Sequence, residues 1–233
     1  MKRRPRKDAQ ETRQRLLEAA AEVFAQKGFW EATHAEICAK ARANTAAVNY
    51  HFGSKENLYV EAWKHAFERS LQAYPPDGGV AADAPVRERL HGRILAFLRR
   101  IGDPANCEVE IMHKEMANPT GLLTEVLMQA VGPMRRDMRS LIEEMLGDGV
   151  GEPTASFCEM SLMGQCFGPM LHLRRARKPS EVPRPPDLPF TLDVEQLADH
   201  VTEFTLAGIR GIRERAKRTG GRSRRKTSTL RRE

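Results

Sequence analysis

Apolar positions recur every three or four residues along most of this chain and strand-like alternation is nearly absent, so the pattern predicts an all-α protein. Leu16, Ala20, Val23 and Phe24 form the first helical stripe, over about 9–26, with Asp8 and Glu11 as a capping pair and Gly28 as the stop. Thr33 and Glu36 have the spacing of a capping box, which starts a helix at His34 with Ile37 and Ala41 on a narrow buried stripe. Arg42-Ala43-Asn44 is too short and polar to continue that packing. Asn44 then caps a second short helix, over about 45–51. Ser54 caps a third, from Lys55 to about Ala73, with Leu58, Ala62, Phe67 and Leu71 facing inward.

Pro75-Pro76 and Gly78-Gly79 break the pattern and place a domain boundary near that point. Beyond it the stripes predict helices over about 85–101 (Val86, Leu90, Ile94, Leu98), 105–117, 121–146, 154–175 and 193–217. Asn118-Pro119 stops the second of these, and Gly132-Pro133 is expected to interrupt the third. The helix over 154–175 is apolar nearly all round, which predicts burial on every side, in a monomer core or against a partner copy. The last helix opens with the capping pair Asp193 and Gln196 and carries Val194, Leu197, Val201, Phe204, Gly208 and Ile212 on its stripe. Five prolines within 177–190 predict an extended loop. The basic residues from 219 on predict a disordered tail. The expected domains are 1–70, 76–217 and a tail over 218–233.

Two short helices joined by a tight turn, over about 33–52, form a helix-turn-helix, whose second helix enters a DNA major groove. Thr45, Ala46, Asn49 and Tyr50 point out of that second helix and are small or hydrogen-bonding, which suits base edges and phosphates. Charge supports the same end of the molecule. Residues 1–70 carry a net +4, 71–209 a net −6, and 210–233 a net +9. A basic head on an acidic body presents one end to nucleic acid. Solubility alone also explains a charged tail.

The stretches TRQRLLEAAAEVFAQKGFWEAT and EICAKARANTAAVNYHFGSKENLY resemble the DNA-binding domain of the tetracycline-repressor (TetR) family of bacterial regulators. The aromatic-His-Phe-x-Ser-Lys-Glu-x-Leu run is the specific part. The resemblance implies that Thr33, Thr45, Asn49, Tyr50, His51 and Lys55 meet operator DNA. Ala46, with Arg42 and Asn44 of the turn, completes the candidate interface. Arg42 stands where the family usually has Gly, and Ala47 where it often has a phosphate-binding Thr. KEMANPTGLLTEVL, GPMRRDMRSLIEEMLG and SLMGQCFGPML are similar to the C-terminal domain of the CecR-type (CerR-type) subgroup. The fold so implied is an N-terminal three-helix DNA-binding domain and a larger helical ligand-binding and dimerisation domain. The function implied is a ligand-responsive homodimeric repressor of a pseudo-palindromic, double-stranded operator. A nonspecific or architectural nucleic-acid-binding protein is the alternative.

All nine internal methionines lie between Met112 and Met170, which reads either as core filling or as an adaptable apolar pocket. By resemblance the family places a small-molecule site in this region. Met112, His113, Glu115, Met116, Met163, Gln165 and Phe167 are the candidate effector contacts, with Glu110 a further polar candidate; the effector itself is not named by the sequence. The four cysteines lack zinc spacing, and no nucleophile motif, P-loop or dinucleotide fingerprint occurs, so neither enzyme, metal nor cofactor is expected. No run of 18 apolar residues occurs and no apolar stretch follows the basic start, so a cytoplasmic protein with reduced thiols and no membrane partner is expected.

Overall fold

A computed structural model describes residues 4–148, 150–177 and 192–229. The proline-rich stretch expected as an extended loop lies outside these except for its first residue. Among the described residues there are nine helices and no strand: α1 (Arg4–Glu31), α2 (His34–Ala41), α3 (Thr45–Phe52), α4 (Lys55–Ala73), α5 (Val86–Gly102), α6 (Cys107–Ala117), α7 (Thr124–Leu146), α8 (Glu152–Arg177) and α9 (Val194–Thr229). The chain divides into two compact units, Met1–Tyr74 with Asp103–Gly132, and Pro75–Gly102 with Pro133–Glu233.

In the first unit α1 packs against α2, α3, α4 and α6. Leu16, Ala20 and Phe24 of α1 are fully buried with Ile37, Val48, Leu58, Tyr59, Ala62, Ile111 and Leu123. Removing a side chain as large as Leu16 from such a site costs about 2–5 kcal/mol. α1 starts earlier than the Asp8 cap predicts, so Asp8 lies inside the helix, where its carbonyl accepts from Thr12 Oγ1 at 2.8 Å. Gly28 ends the regular helix as expected, with φ 76°, and turns the chain so that Phe29 re-enters the core. α6 and the first turns of α7, read from the sequence as part of the second domain, pack in this unit, because Ile111 and Leu123 fill its core.

In the second unit α5 lies against α8 and α9. Leu90, Ile94 and Leu98 of α5 share its interior with Leu162, Cys166, Ala198 and Val201. Arg87–Glu203, His91–Asp199 and Arg99–Glu195 line the α5–α9 contact. These pairs are largely exposed and set register more than stability. The loop before α5 crosses it closely. A Cβ on Gly78 would stand 2.3 Å from the Gly92 carbonyl oxygen, so no other residue fits there.

Three expectations change here. α7 runs unbroken through Pro133, and the division between the units falls on the Gly132–Pro133 bond. Proline removes one donor and crowds the preceding turn; here it falls in a stretch, 127–140, whose residues are all half-buried or exposed, so the freed carbonyl can meet water. α9 continues to Thr229, into the stretch expected to be disordered, whose last four residues lie outside the described ones. Its packed first half provides the nucleus, and Arg and Lys are good helix formers. Within one chain α8 is not buried on every side, so its own core covers only part of it. Ala155, Cys158, Leu162, Cys166 and Met170 face inward, whereas Phe157 and Met160 are 64% and 68% exposed and Phe167 is 48% exposed.

Candidate nucleic-acid interface

The helix-turn-helix is fixed by three side-chain caps. Thr33 and Glu36 form the full capping box: the Glu36 amide donates to Thr33 Oγ1 at 3.3 Å, and the Thr33 amide donates to Glu36 Oε2 at 3.2 Å. Lys27 also pairs with Glu36. The Lys27 ammonium, then the Thr33 hydroxyl and amide, hold the Glu36 carboxyl below the usual carboxylate range. Asn44 Oδ1 accepts from the Ala47 amide at 2.8 Å and starts α3. Ser54 Oγ accepts from the Asn57 amide at 3.2 Å and starts α4.

Between α2 and α3, Arg42 closes the turn with φ 51° and ψ 46°, the left-handed conformation expected for a Gly position. Its amide bonds the Ala39 carbonyl at 3.3 Å, and the Ala43 amide bonds the Cys38 carbonyl at 2.9 Å. Val48 and Phe52 bury one side of α3. The other side presents Thr45, Ala46, Asn49 and Tyr50 to solvent, and Tyr50 is 80% exposed. Ala47 and His51 are half-buried, the latter edge-on to Tyr50 at 4.9 Å. Thr33, Arg42 and Asn44 are not buried either. The first unit therefore contains the whole candidate DNA set on α3 and on the ends and turn beside it.

Two contacts in this unit were not legible in the sequence. The Lys55 ammonium stands over the Phe29 ring, 4.6 Å from its centroid, so the base of α4 is tied to the corner after α1. The Arg13 guanidinium stands 5.3 Å over Phe52 and pairs with Glu61 at 3.0 Å, bracing the end of α3 against α1 and α4. Helical periodicity cannot pair residues so far apart. The only sequence trace is the presence of aromatics at both positions.

The candidate effector residues fall in two groups. Met112, His113, Glu115 and Met116 lie on α6 in the first unit, and Met163, Gln165 and Phe167 on α8 in the second, so neither unit contains the set. Glu115 is buried and engaged within its own unit. It accepts from Tyr59 Oη at 3.0 Å, the Thr120 amide at 2.9 Å, Thr120 Oγ1 at 2.9 Å and the Gly121 amide at 3.0 Å. Burial, and then this carboxylate, push the Tyr59 phenol up. Met116 is 64% exposed, and Met112 and His113 are half-buried. In the second unit Gln165 donates to the Ser161 carbonyl at 3.2 Å, and Phe167 meets Phe97 edge-to-face at 5.2 Å. Met145 and Met170 are buried and fill core.

Among the described residues no helix is long and apolar enough to cross a membrane.

Comparison with known proteins gives these features a common origin. The N-terminal model of the bacterial regulatory proteins of the tetR family matches residues 16–62. The C-terminal domain model of the HTH-type transcriptional dual regulator CecR matches residues 86–209, more than half of the chain. The HTH-type transcriptional repressor NicS of Pseudomonas putida is 28% identical over 140 residues, 60% of this chain and 60% of NicS. The HTH-type transcriptional regulator UidR of Escherichia coli K12 is 33% identical over 114 residues, 48% of this chain and 56% of UidR. The chain thus matches under two thirds of the length of either relative. Among solved structures, a TetR-like transcriptional regulator from Rhodococcus sp. RHA1 superimposes with a TM-score of 0.64 at 19% identity, over 86% of this chain and 96% of that one. The TetR family transcriptional regulator PfmR of Thermus thermophilus superimposes with a TM-score of 0.57 at 18% identity, over 82% and 97%. These likenesses carry the fold, and the matched models carry the family: the chain belongs to the TetR family of bacterial transcription regulators, with a CecR-type C-terminal domain.

Proposed function

We propose that this protein is a homodimeric, effector-responsive repressor that reads a pseudo-palindromic DNA operator in the cytoplasm. The observation that carries the DNA reading is α3 itself: a helix capped at its start, packed on one side, and presenting Thr45, Ala46, Asn49 and Tyr50 on the other. Thr45 and Asn49 would read base edges, while Thr33 and Lys55, at the starts of α2 and α4, would meet phosphates at positive helix ends. The repressor sign follows the name of NicS and is carried to this chain as part of the proposal.

The dimer reading rests on the second unit. Phe157 and Met160 of α8 and Phe204 of α9 are 64%, 68% and 59% exposed, and a Cβ on Gly164, Gly168, Gly208 or Gly211 would meet nothing within 4 Å. Large apolar groups beside open glycines suit close packing against a second α8–α9 pair, which a two-fold operator requires. An effector taken up among the methionine-rich helices would weaken operator binding only by preferring the DNA-incompetent state.

Selection of bound fragments from genomic DNA tests the reading. A shared palindromic sequence, lost in Asn49→Ala or bound with changed base preference, supports it. Uniform binding with no enriched sequence would leave a nonspecific nucleic-acid-binding protein instead.

A further inference from the structure

The corner between α1 and α2 carries a large aromatic to which the proposed function gives no role. Trp30 is 61% exposed, although it adjoins a closely packed aromatic cluster. Its neighbour Phe29 is 8% exposed and packs on Tyr59 at 5.2 Å and Phe24 at 6.4 Å. Trp30 meets Phe29 edge-to-face, at 5.2 Å and 82°. Phe29 also carries the Lys55 ammonium, at 4.6 Å. Three residues after Trp30, Thr33 caps α2. One buried ring thus holds an exposed indole next to the two residues assigned to phosphates, and the left-handed turn at Gly28 fixes the chain that presents it.

We propose that Trp30 is a further DNA contact of this protein, packing its ring on the sugar–phosphate backbone beside the Thr33 and Lys55 contacts and donating its indole N–H to a phosphate oxygen. This rests on the DNA reading of α3. Indole has one donor and no acceptor, so it cannot make the paired contacts that distinguish bases and serves the backbone instead. An indole held by packing loses little freedom on binding, which makes it an effective anchor. The indole is neutral, so it adds no charge attraction of its own to that of Lys55. Glu31 is exposed, and Glu36 is paired with Lys27. The contact is a hydrogen bond from a neutral donor together with packing of the ring, and a neutral group releases no counterion.

That last point separates Trp30 from a basic phosphate contact. The test uses full-length protein and a duplex enriched by it from a random-sequence pool. Fluorescence anisotropy of labelled duplex is measured across a salt series for wild type, Trp30→Ala, Trp30→Phe and Lys55→Ala. Trp30→Ala should bind more weakly by about tenfold per head, the scale of one hydrogen bond to a charged group, with an unchanged slope of log affinity against log salt. Trp30→Phe should fall between the two. Lys55→Ala should lower the slope. Iodide quenching gives an independent reading, because the chain has two tryptophans and the other, Trp63, is 2% exposed. The quenching that Trp30→Phe abolishes should be present in the free protein and suppressed by duplex. An indole still accessible in the bound complex, wild-type affinity in Trp30→Ala, or a changed salt slope in that variant would overturn the assignment. Protection that rises with protein concentration without DNA would show a second copy on Trp30, and would overturn it too. If no duplex is enriched, the DNA reading fails and this inference with it.

Discussion

Arg42 adopts a left-handed backbone at the position where the family usually has glycine. A side chain there costs about 1 kcal/mol through the clash of Cβ with the following carbonyl. Arg42→Gly should therefore raise the melting temperature by about 2–4 °C in a chain of this size. A guanidinium kept at that cost beside α3 is expected to serve the interface. The same variant should then bind operator more weakly and with a shallower salt dependence, by about one unit per head if it meets one phosphate. A thermal melt and a salt titration on the same preparation separate the two effects. Higher stability with unchanged binding would make Arg42 a tolerated strain and nothing more. The thiols give a second residue-scale expectation. Burial pushes Cys166 up to about 12 and raises Cys158 as well, so neither is a thiolate at neutral pH. Cys38 is buried too, and Cys107 is half-buried. Timed alkylation of native protein, read by peptide mass, should modify Cys107 first. Early labelling of Cys166 would show that α8 opens.

Among the elements, the capping box of α2 carries an expected acid dependence. Glu36 is held below its usual range, chiefly by Lys27 and Thr33. A depressed carboxylate adds stability that is present above its unfolded pKa and is lost as pH falls through the lower folded value. Native protein should thus lose stability to this group in the acid range below about pH 4.3, and Glu36→Gln should lack that part of the dependence. Parallel acid titrations of the two proteins would refute a role for the box. The box was legible in the sequence because caps are local: Thr33, Asn44 and Ser54 each bond an amide three residues on. α4 was legible at its start for the same reason. What periodicity could not supply was the partner of each face. Phe157 and Met160 belong to a helix that read as buried on every side, in a monomer core or against a partner copy, and in the single chain they face solvent. Glu115 read as a candidate effector contact because the resemblance places a small-molecule site in the methionine-rich region. Its partners Tyr59, Thr120 and Gly121 lie on other segments of the chain, off its own helix and beyond the reach of helical periodicity. The cation–π contact of Lys55 with Phe29 was hidden for the same reason.

For the whole molecule, the dimer is the proposal most open to a clean test, since the α9 stripe read from the sequence is divided in the fold. Val201 is 1% exposed and belongs to the interior of its own unit, whereas Phe204 is 59% exposed, on a helix that also carries the open Gly208 and Gly211. A charge at the two positions should have opposite signatures. Val201→Glu places an unpaired carboxylate in an apolar core, which costs several kcal/mol and should lower the melting temperature sharply. Phe204→Glu leaves that core intact but sets two like charges across the proposed two-fold contact. It should keep its helical circular dichroism, sediment as a monomer at micromolar concentration, and lose the gain from gripping two half-sites together. That gain is about a hundredfold or more in affinity when two linked heads bind one operator. Individual heads should still show weak, salt-sensitive binding, because α3 and its caps lie wholly in the first unit. Phe204→Glu protein that remains dimeric, together with wild-type operator affinity, would remove α9 from the interface and return the exposed face of α8 and α9 to the ordinary surface.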